Sequence, residues 1–328
     1  MTGSPLATPS RVLAVLTESG PQTALQHAAA YARHKGAALE VMACLSPPPN
    51  LAVLAQLTKQ TPDALIADRT ARFHSQMEAY LKACPPDQRP VPYVTIGQTF
   101  IEIIRRADAL NCDLILKMAE PRCGPSRLFL ASTDQHLLRK CPAPVWLLTP
   151  DAQHPPHHIL AAVDLDLEDA AEPETLNALN HAVLDAACAV ADREDALVTL
   201  LHAWDAPGEG LVWAFSDTNT VPNAADLYVN AILESRQTAM TRFLRESQKR
   251  HPKIQLRPCL SRGTPEAAIH AQIVSGSVDL VVMGTVARTG LKGFFIGNTA
   301  ETIINSLQSP VLAIKPRGFV SPIQSAGS

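Results

Sequence analysis

Cys112-Asp113-Leu114-Ile115-Leu116 and Val278-Asp279-Leu280-Val281-Val282 are two versions of one segment, set 166 residues apart. Carried forward without gaps, the same offset lays Leu128-Phe129 on Phe294-Phe295, Thr133 on Thr299 and Pro144-Val145 on Pro310-Val311. Carried backward, it lays Gly97 on Gly263. An offset that holds through a strand, a loop and a helix marks an internal repeat. The beginnings match in pattern as well, Arg11-Val12-Leu13-Ala14-Val15 beside His158-Ile159-Leu160-Ala161-Ala162. Each copy is longer than a solenoid repeat, so the copies read as domains, 1–150 and 151–328. The stretch 151–157 between them is polar and proline-rich, as a short stiff linker should be.

Within a copy, short apolar runs alternate with longer helical patterns. In the second copy the strands are expected at His158–Asp164, Ala196–Ala203, Ile254–Ser261, Asp279–Met283 and Pro310–Lys315. Runs apolar on both faces fit parallel strands covered by helices. Helices are expected at Glu174–Ala191, Ala224–Arg250, Pro265–Ser275 and Thr299–Ser306. The third carries a start signal in Thr264, Pro265 and Glu266, and the fourth a capping box in Asn298-Thr299-Ala300-Glu301. Alternating β and α gives the fold class α/β: two tandem doubly wound parallel-sheet domains, stacked or paired, each with its own five-stranded sheet. The tail 317–328 is expected to fray.

Composition narrows the function classes. The chain has 328 residues, a hydrophobic fraction of 46% and a net charge of −3. Such a balance argues against a nucleic-acid footprint or an anionic-membrane surface. The start has no basic segment followed by an apolar core, and no apolar run is long enough to span a bilayer, so a cytoplasmic place is expected. Seven cysteines without a CxxC pair read as buried free thiols. His154, His157 and His158 sit beside two prolines without acidic or cysteine neighbours, and read as a solvated linker, with no metal expected. The basic segment Arg242 to Lys253 reads as a solvated helix face.

Ligands of open parallel sheets bind beyond the carboxyl ends of the strands. Three places in the second copy qualify. Asp164 ends strand one, where a carboxylate can accept from ribose hydroxyls or an adenine amine, or can cap local backbone. His202 ends strand two as a ligand contact, an acid/base or a packed strand histidine. Strand four runs into the glycine-bearing stretch Gly284 to Thr299, where Gly284 and Gly297 let backbone amides approach a phosphate and Arg288 or Lys292 adds charge. The alternative is a loop that only covers the sheet.

These runs, with Gly297-Asn298-Thr299-Ala300-Glu301 and Ser309-Pro310-Val311-Leu312-Ala313-Ile314-Lys315-Pro316, resemble universal stress protein domains, once per half. The two-domain layout resembles the tandem E-type subfamily. The resemblance implies a Rossmann-like, adenine nucleotide alpha hydrolase-like fold, a part in stress tolerance, and ATP or a related nucleotide as ligand. Nucleotide-binding members carry Gly, two residues, Gly, nine residues, then Gly and Ser or Thr. Gly284 and Gly297 match; Ala287 and Asn298 depart, with Thr299 following. The Cβ of Ala287 crowds a phosphate. Asp164 and Ala203 occupy positions that lie beside the adenosine in such members. In the first copy Met118, Pro121, Ala131 and Ser132 replace Gly284, Ala287, Gly297 and Asn298, and Thr17 stands for Asp164.

The ligand is therefore expected in the second domain: Asp164, Ala203, Gly284, Ala287, Arg288, Gly297, Asn298 and Thr299. The alternatives are a slow ATPase or adenylyl-transfer enzyme, for which no nucleophile, base or pyrophosphatase loop stands out, and a ligand-free scaffold. Each copy ends in an apolar strand, Val145–Leu148 and Val311–Ile314, and these are expected to pair as an internal pseudo-dimer. Protein partners are expected but not identifiable.

Overall fold

The computed structural model describes residues 6–18, 22–120, 132–168, 170–191, 195–215, 223–276, 278–285 and 309–323. The first half runs β1 (Arg11–Leu16), α1 (Thr23–Lys35), β2 (Ala38–Leu45), α2 (Leu51–Thr58), α3 (Pro62–Leu81), β3 (Pro92–Ile96), α4 (Thr99–Ala109), β4 (Leu114–Met118), α5 (Thr133–Lys140) and β5 (Val145–Leu148). The second runs β6 (His158–Ala162), α6 (Pro173–Val190), β7 (Leu197–Trp204), α7 (Glu209–Phe215), α8 (Ala224–Arg250), β8 (Gln255–Arg262), α9 (Pro265–Gly276), β9 (Leu280–Gly284) and β10 (Val311–Ile314). Thr264 caps α9 as its sequence implies, its Oγ1 accepting from Ala267 N at 3.3 Å.

Each half orders its strands the same way: β3-β2-β1-β4-β5 and β8-β7-β6-β9-β10. All pairings inside a half are parallel. The expectation of a separate sheet in each half needs correction. The ten strands form one sheet, because β5 and β10 pair antiparallel, with Val311 opposite Leu147 and Leu312 opposite Trp146. Two short strands that are buried along their whole length satisfy each other's free edge. Trp146 is the largest side chain buried at this seam; its ring meets Tyr31 edge-on, and the Tyr31 hydroxyl donates to Leu6 O at 2.7 Å.

The repeated Asp of the opening motif has the same task in both halves. Asp113 Oδ2 accepts from Ser10 N, Ser10 Oγ and Arg11 N at 2.7, 2.8 and 3.0 Å. Asp279 Oδ2 accepts from His157 N and His158 N at 2.7 and 2.9 Å. Each carboxylate thus ties the entry of strand one to the entry of strand four, at the edge opposite the candidate site.

One other expectation changes in part. Two of the three linker histidines are packed rather than solvated, while His157 is exposed. His158 opens β6, and its ring bonds Gly276 O at 2.6 Å and Thr199 Oγ1 at 2.8 Å. His154 lies 5.0 Å from the His27 ring, and burial, then the charge of His27, pushes its pKa down to about 4. The arginines and lysines from Arg242 to Lys253 are exposed as expected, and at the end of α8 Asp185 holds Arg250 at 2.8 Å and His251 at 2.7 Å. Beyond β10, Phe319 lies against the Lys315 ammonium at 4.7 Å. The six cysteines among the described residues are free, and burial raises Cys112, Cys141 and Cys188 to about 12.

Candidate functional site at the carboxyl edge of the sheet

In the second half, β6 stops at Ala162 and the chain leaves the sheet through Val163-Asp164-Leu165-Asp166. Asn180 on α6 fixes this exit. Its Oδ1 accepts from Asp164 N at 2.9 Å and its Nδ2 donates to Asp164 O at 2.5 Å. Asn180 is buried, so both bonds are made away from water. The Asp164 carboxylate accepts from Asp166 N at 3.2 Å, which is the local capping role.

His202, near the end of β7, is fully buried. Its Nδ1 accepts from Leu165 N at 3.3 Å, and its Nε2 lies 3.5 Å from Asp166 Oδ1. The same carboxylate oxygen is 2.5 Å from Arg236 Nε, an ion pair whose alignment is too poor for a good hydrogen bond. An arginine of the long helix α8 therefore reaches down to the strand-one exit. The first half does the same: Arg69 on α3 pairs with Glu18 at 2.9 and 2.5 Å and donates to Ser46 O at 2.6 Å. Arg69 and Arg236 are 167 residues apart, almost the repeat offset.

At β9 the chain passes Gly284 into Thr285. A Cβ built on Gly284 falls 2.7 Å from Leu179 Cδ2 and 3.1 Å from Leu179 Cγ. This glycine therefore makes room for the α6 side chain Leu179. Thr285, fully buried, takes a hydrogen bond from Lys315 Nζ at 2.6 Å. Lys315 follows β10, and its ammonium also donates to Leu138 O at the end of α5 in the first half. Burial lowers its pKa to about 7. Lys315 is the cation that the sequence reading missed, since an apolar strand followed by Lys-Pro reads as a chain exit. Ala203 is half-buried in β7, opposite Ser261 of β8. Ala287, Arg288, Gly297, Asn298 and Thr299 lie outside the described residues, as does the expected helix Thr299–Ser306. The structure thus brings Asp164, Gly284 and Ala203 to one sheet edge and adds Asn180, Asp166, Arg236 and Lys315.

The first-half edge is built differently. Lys117 of β4 is buried among apolar strands, with its Nζ 2.8 Å from Asp134 Oδ1 and 2.9 Å from Met118 O. The second oxygen of Asp134 accepts from Glu120 N at 2.7 Å. Ser132 caps α5, its Oγ accepting from Gln135 N at 3.2 Å. Among the described residues, no group of three or more His, Cys, Asp or Glu is placed to hold a metal ion, and no helix is long and apolar enough to cross a membrane.

The profile of the universal stress protein family matches residues 10–149 and again 156–315. The chain belongs to the universal stress protein family. Two matches in one chain make it a tandem member. It is 31% identical over 261 residues to universal stress protein E of Salmonella typhi, covering 79% of this chain and 78% of the relative. The universal stress protein E homolog of Haemophilus influenzae is 28% identical over 242 residues, covering 70% and 73%. Solved structures share the fold. A functionally unknown protein from Pseudomonas aeruginosa PAO1 superposes with a TM-score of 0.65 at 22% identity, covering 95% of this chain and 94% of that one. A universal stress protein from Archaeoglobus fulgidus gives 0.60 at 15% identity, covering 93% and 96%.

Proposed function

We propose that this universal stress protein serves stress tolerance by binding a nucleotide-like ligand, ATP or a relative of it, at the carboxyl edge of its second half. The observation that carries this reading is the Asp164 exit. A buried Asn180 clamps its backbone from both sides, which fixes a part-exposed carboxylate at the end of the central strand. Fixed acceptors at that edge suit ribose hydroxyls or an adenine amine; Lys315, beyond β10 and two strands from β6, holds its ammonium on Thr285 at the same end of the sheet. No catalytic group is assigned: His202 is fully buried, with its Nε2 3.5 Å from Asp166 Oδ1. The test is mass spectrometry of small molecules released from native purified protein. An adenine nucleotide at about one per chain supports the reading, and an empty protein after purification at low and high salt opposes it.

A second reading, action through protein partners without a small ligand, rests on exposed apolar side chains. Val53, Leu54 and Leu57 on α2 and Leu211 and Trp213 on α7 face solvent, Leu57 at 74% and Trp213 at 68% exposure. Exposed apolar clusters of this kind mark protein contacts.

A further inference from the structure

We propose that the Lys117–Asp134 ion pair is a built-in occupant of the first half's anion position and bars phosphate-bearing ligands from that half. The place has the parts that hold an anion. The start of α5 brings the positive end of the helix dipole, with Ser132 Oγ already taking the Gln135 N–H. Glu120 N points to the same spot, and the Lys117 ammonium reaches it from β4. Between them stands the carboxylate of Asp134, with one oxygen on the ammonium and the other on the amide. Both partners are shut from water, their side chains 3% and 9% exposed. Glu120 adds a second carboxylate 3.9 Å from the ammonium. A phosphate entering here must displace a desolvated carboxylate from a charge-assisted bond and then face the Glu120 charge.

The duplication supplies the control. At the repeat offset of 166 residues, Lys117 corresponds to Met283 and Asp134 to Ala300. The second half has therefore neither the cation nor the anion, and Met283 is buried as an ordinary core side chain. Both members of the pair are present in one half and both are replaced in the other, which is the pattern a self-contained lock requires. Leaving either charge alone in this place exposes the other to an unpaired burial.

The inference sharpens the placement of ligand in the second half, but its test does not depend on that placement, because the probe is inorganic phosphate and the variants are in the first half. Phosphate affinity is measured on the full chain by equilibrium dialysis at constant ionic strength, for wild type, Asp134→Ala and the double variant Lys117→Met/Asp134→Ala. Asp134→Ala leaves the ammonium and the Glu120 amide open, so it should bind phosphate about ten-fold or more tightly than wild type. The double variant, which copies the second half, should show no gain. If Asp134→Ala binds no better than wild type, or the double variant gains as much, the lock does not exist. Should Asp134→Ala be unfolded in chloride, the expected result is folding on addition of phosphate, and Asp134→Ser, which keeps an acceptor for Glu120 N, should behave likewise. Failure of both variants to fold at any phosphate concentration also overturns the proposal.

Discussion

The two halves of this chain close the same sheet edge in opposite ways. In the first half a lysine inside an apolar strand meets an aspartate at a helix start, 2.8 Å apart and out of reach of water. In the second half the corresponding residues are Met283 and Ala300, and the polar groups sit elsewhere: at Asp164 beyond β6 and at Lys315 beyond β10. What the halves share is scaffold. Asp113 and Asp279 tie the entry edge, and Arg69 and Arg236 clamp the strand-one exit from the long helix. Duplication has left the frame intact and changed the chemistry at one end of it.

The largest effect should come from splitting the first-half pair. Lys117→Met alone strands a buried carboxylate and should cost about 3–5 kcal/mol in urea unfolding, whereas Lys117→Met/Asp134→Ala should recover most of that loss. Equal losses in both variants would break the comparison. Next is Asn180→Ala in the second half. It leaves the N–H and C=O of Asp164 without their partner, and about 1–3 kcal/mol of stability should go with them. Gly284→Ala should cost about 1–3 kcal/mol by overpacking against Leu179, with a favourable coupling when Leu179 is shortened to Val. A Gly284→Ala protein of unchanged stability would return that glycine to a purely ligand-facing role.

The pH response has two limbs. Burial depresses His27 and His154, the latter to about 4, so the unfolded chain takes up their protons first as pH falls. Stability from this pair is complete above about 6.5 and should be lost progressively toward pH 4. Lys315 is depressed to about 7, so between pH 7 and the ordinary lysine range the unfolded chain again binds the extra proton. Its contribution should be fully present above about 10.4 and fall as pH drops to 7, and Lys315→Met should flatten that limb of a melting-temperature profile. A profile unchanged by Lys315→Met would remove this lysine from the seam's energetics.

Much of the frame was legible in the sequence. The bounds of α8, Ala224–Arg250, follow from its helical pattern, and the capped start of α9 from Thr264-Pro265-Glu266. The short helix α7 was not legible, because Gly208-Glu209-Gly210 reads as loop. The apolar end strand of each copy pointed to the β5–β10 pairing, but not to its consequence, one continuous layer of ten strands. The chemistry was less legible. Gly284 looks the same whether it clears a phosphate or Leu179, since only the packing of α6 distinguishes them. Lys117 and Arg236 did leave signals: a charge inside Leu114-Ile115-Leu116-Lys117-Met118, and an arginine at nearly the repeat offset from Arg69. Both stand outside the glycine pattern, so a reading led by glycines passes over them.

Calorimetric titration with ATP, ADP and AMP, run on wild type, Asp164→Ala and Lys117→Met/Asp134→Ala, tests the contrast between the halves most directly. The expected result is one site per chain for at least one of the three nucleotides. Asp164→Ala should weaken it about ten-fold or more through the lost charged acceptor, and the first-half double variant should leave it unchanged. Two equivalent sites in wild type, or a single site indifferent to Asp164→Ala, would contradict it.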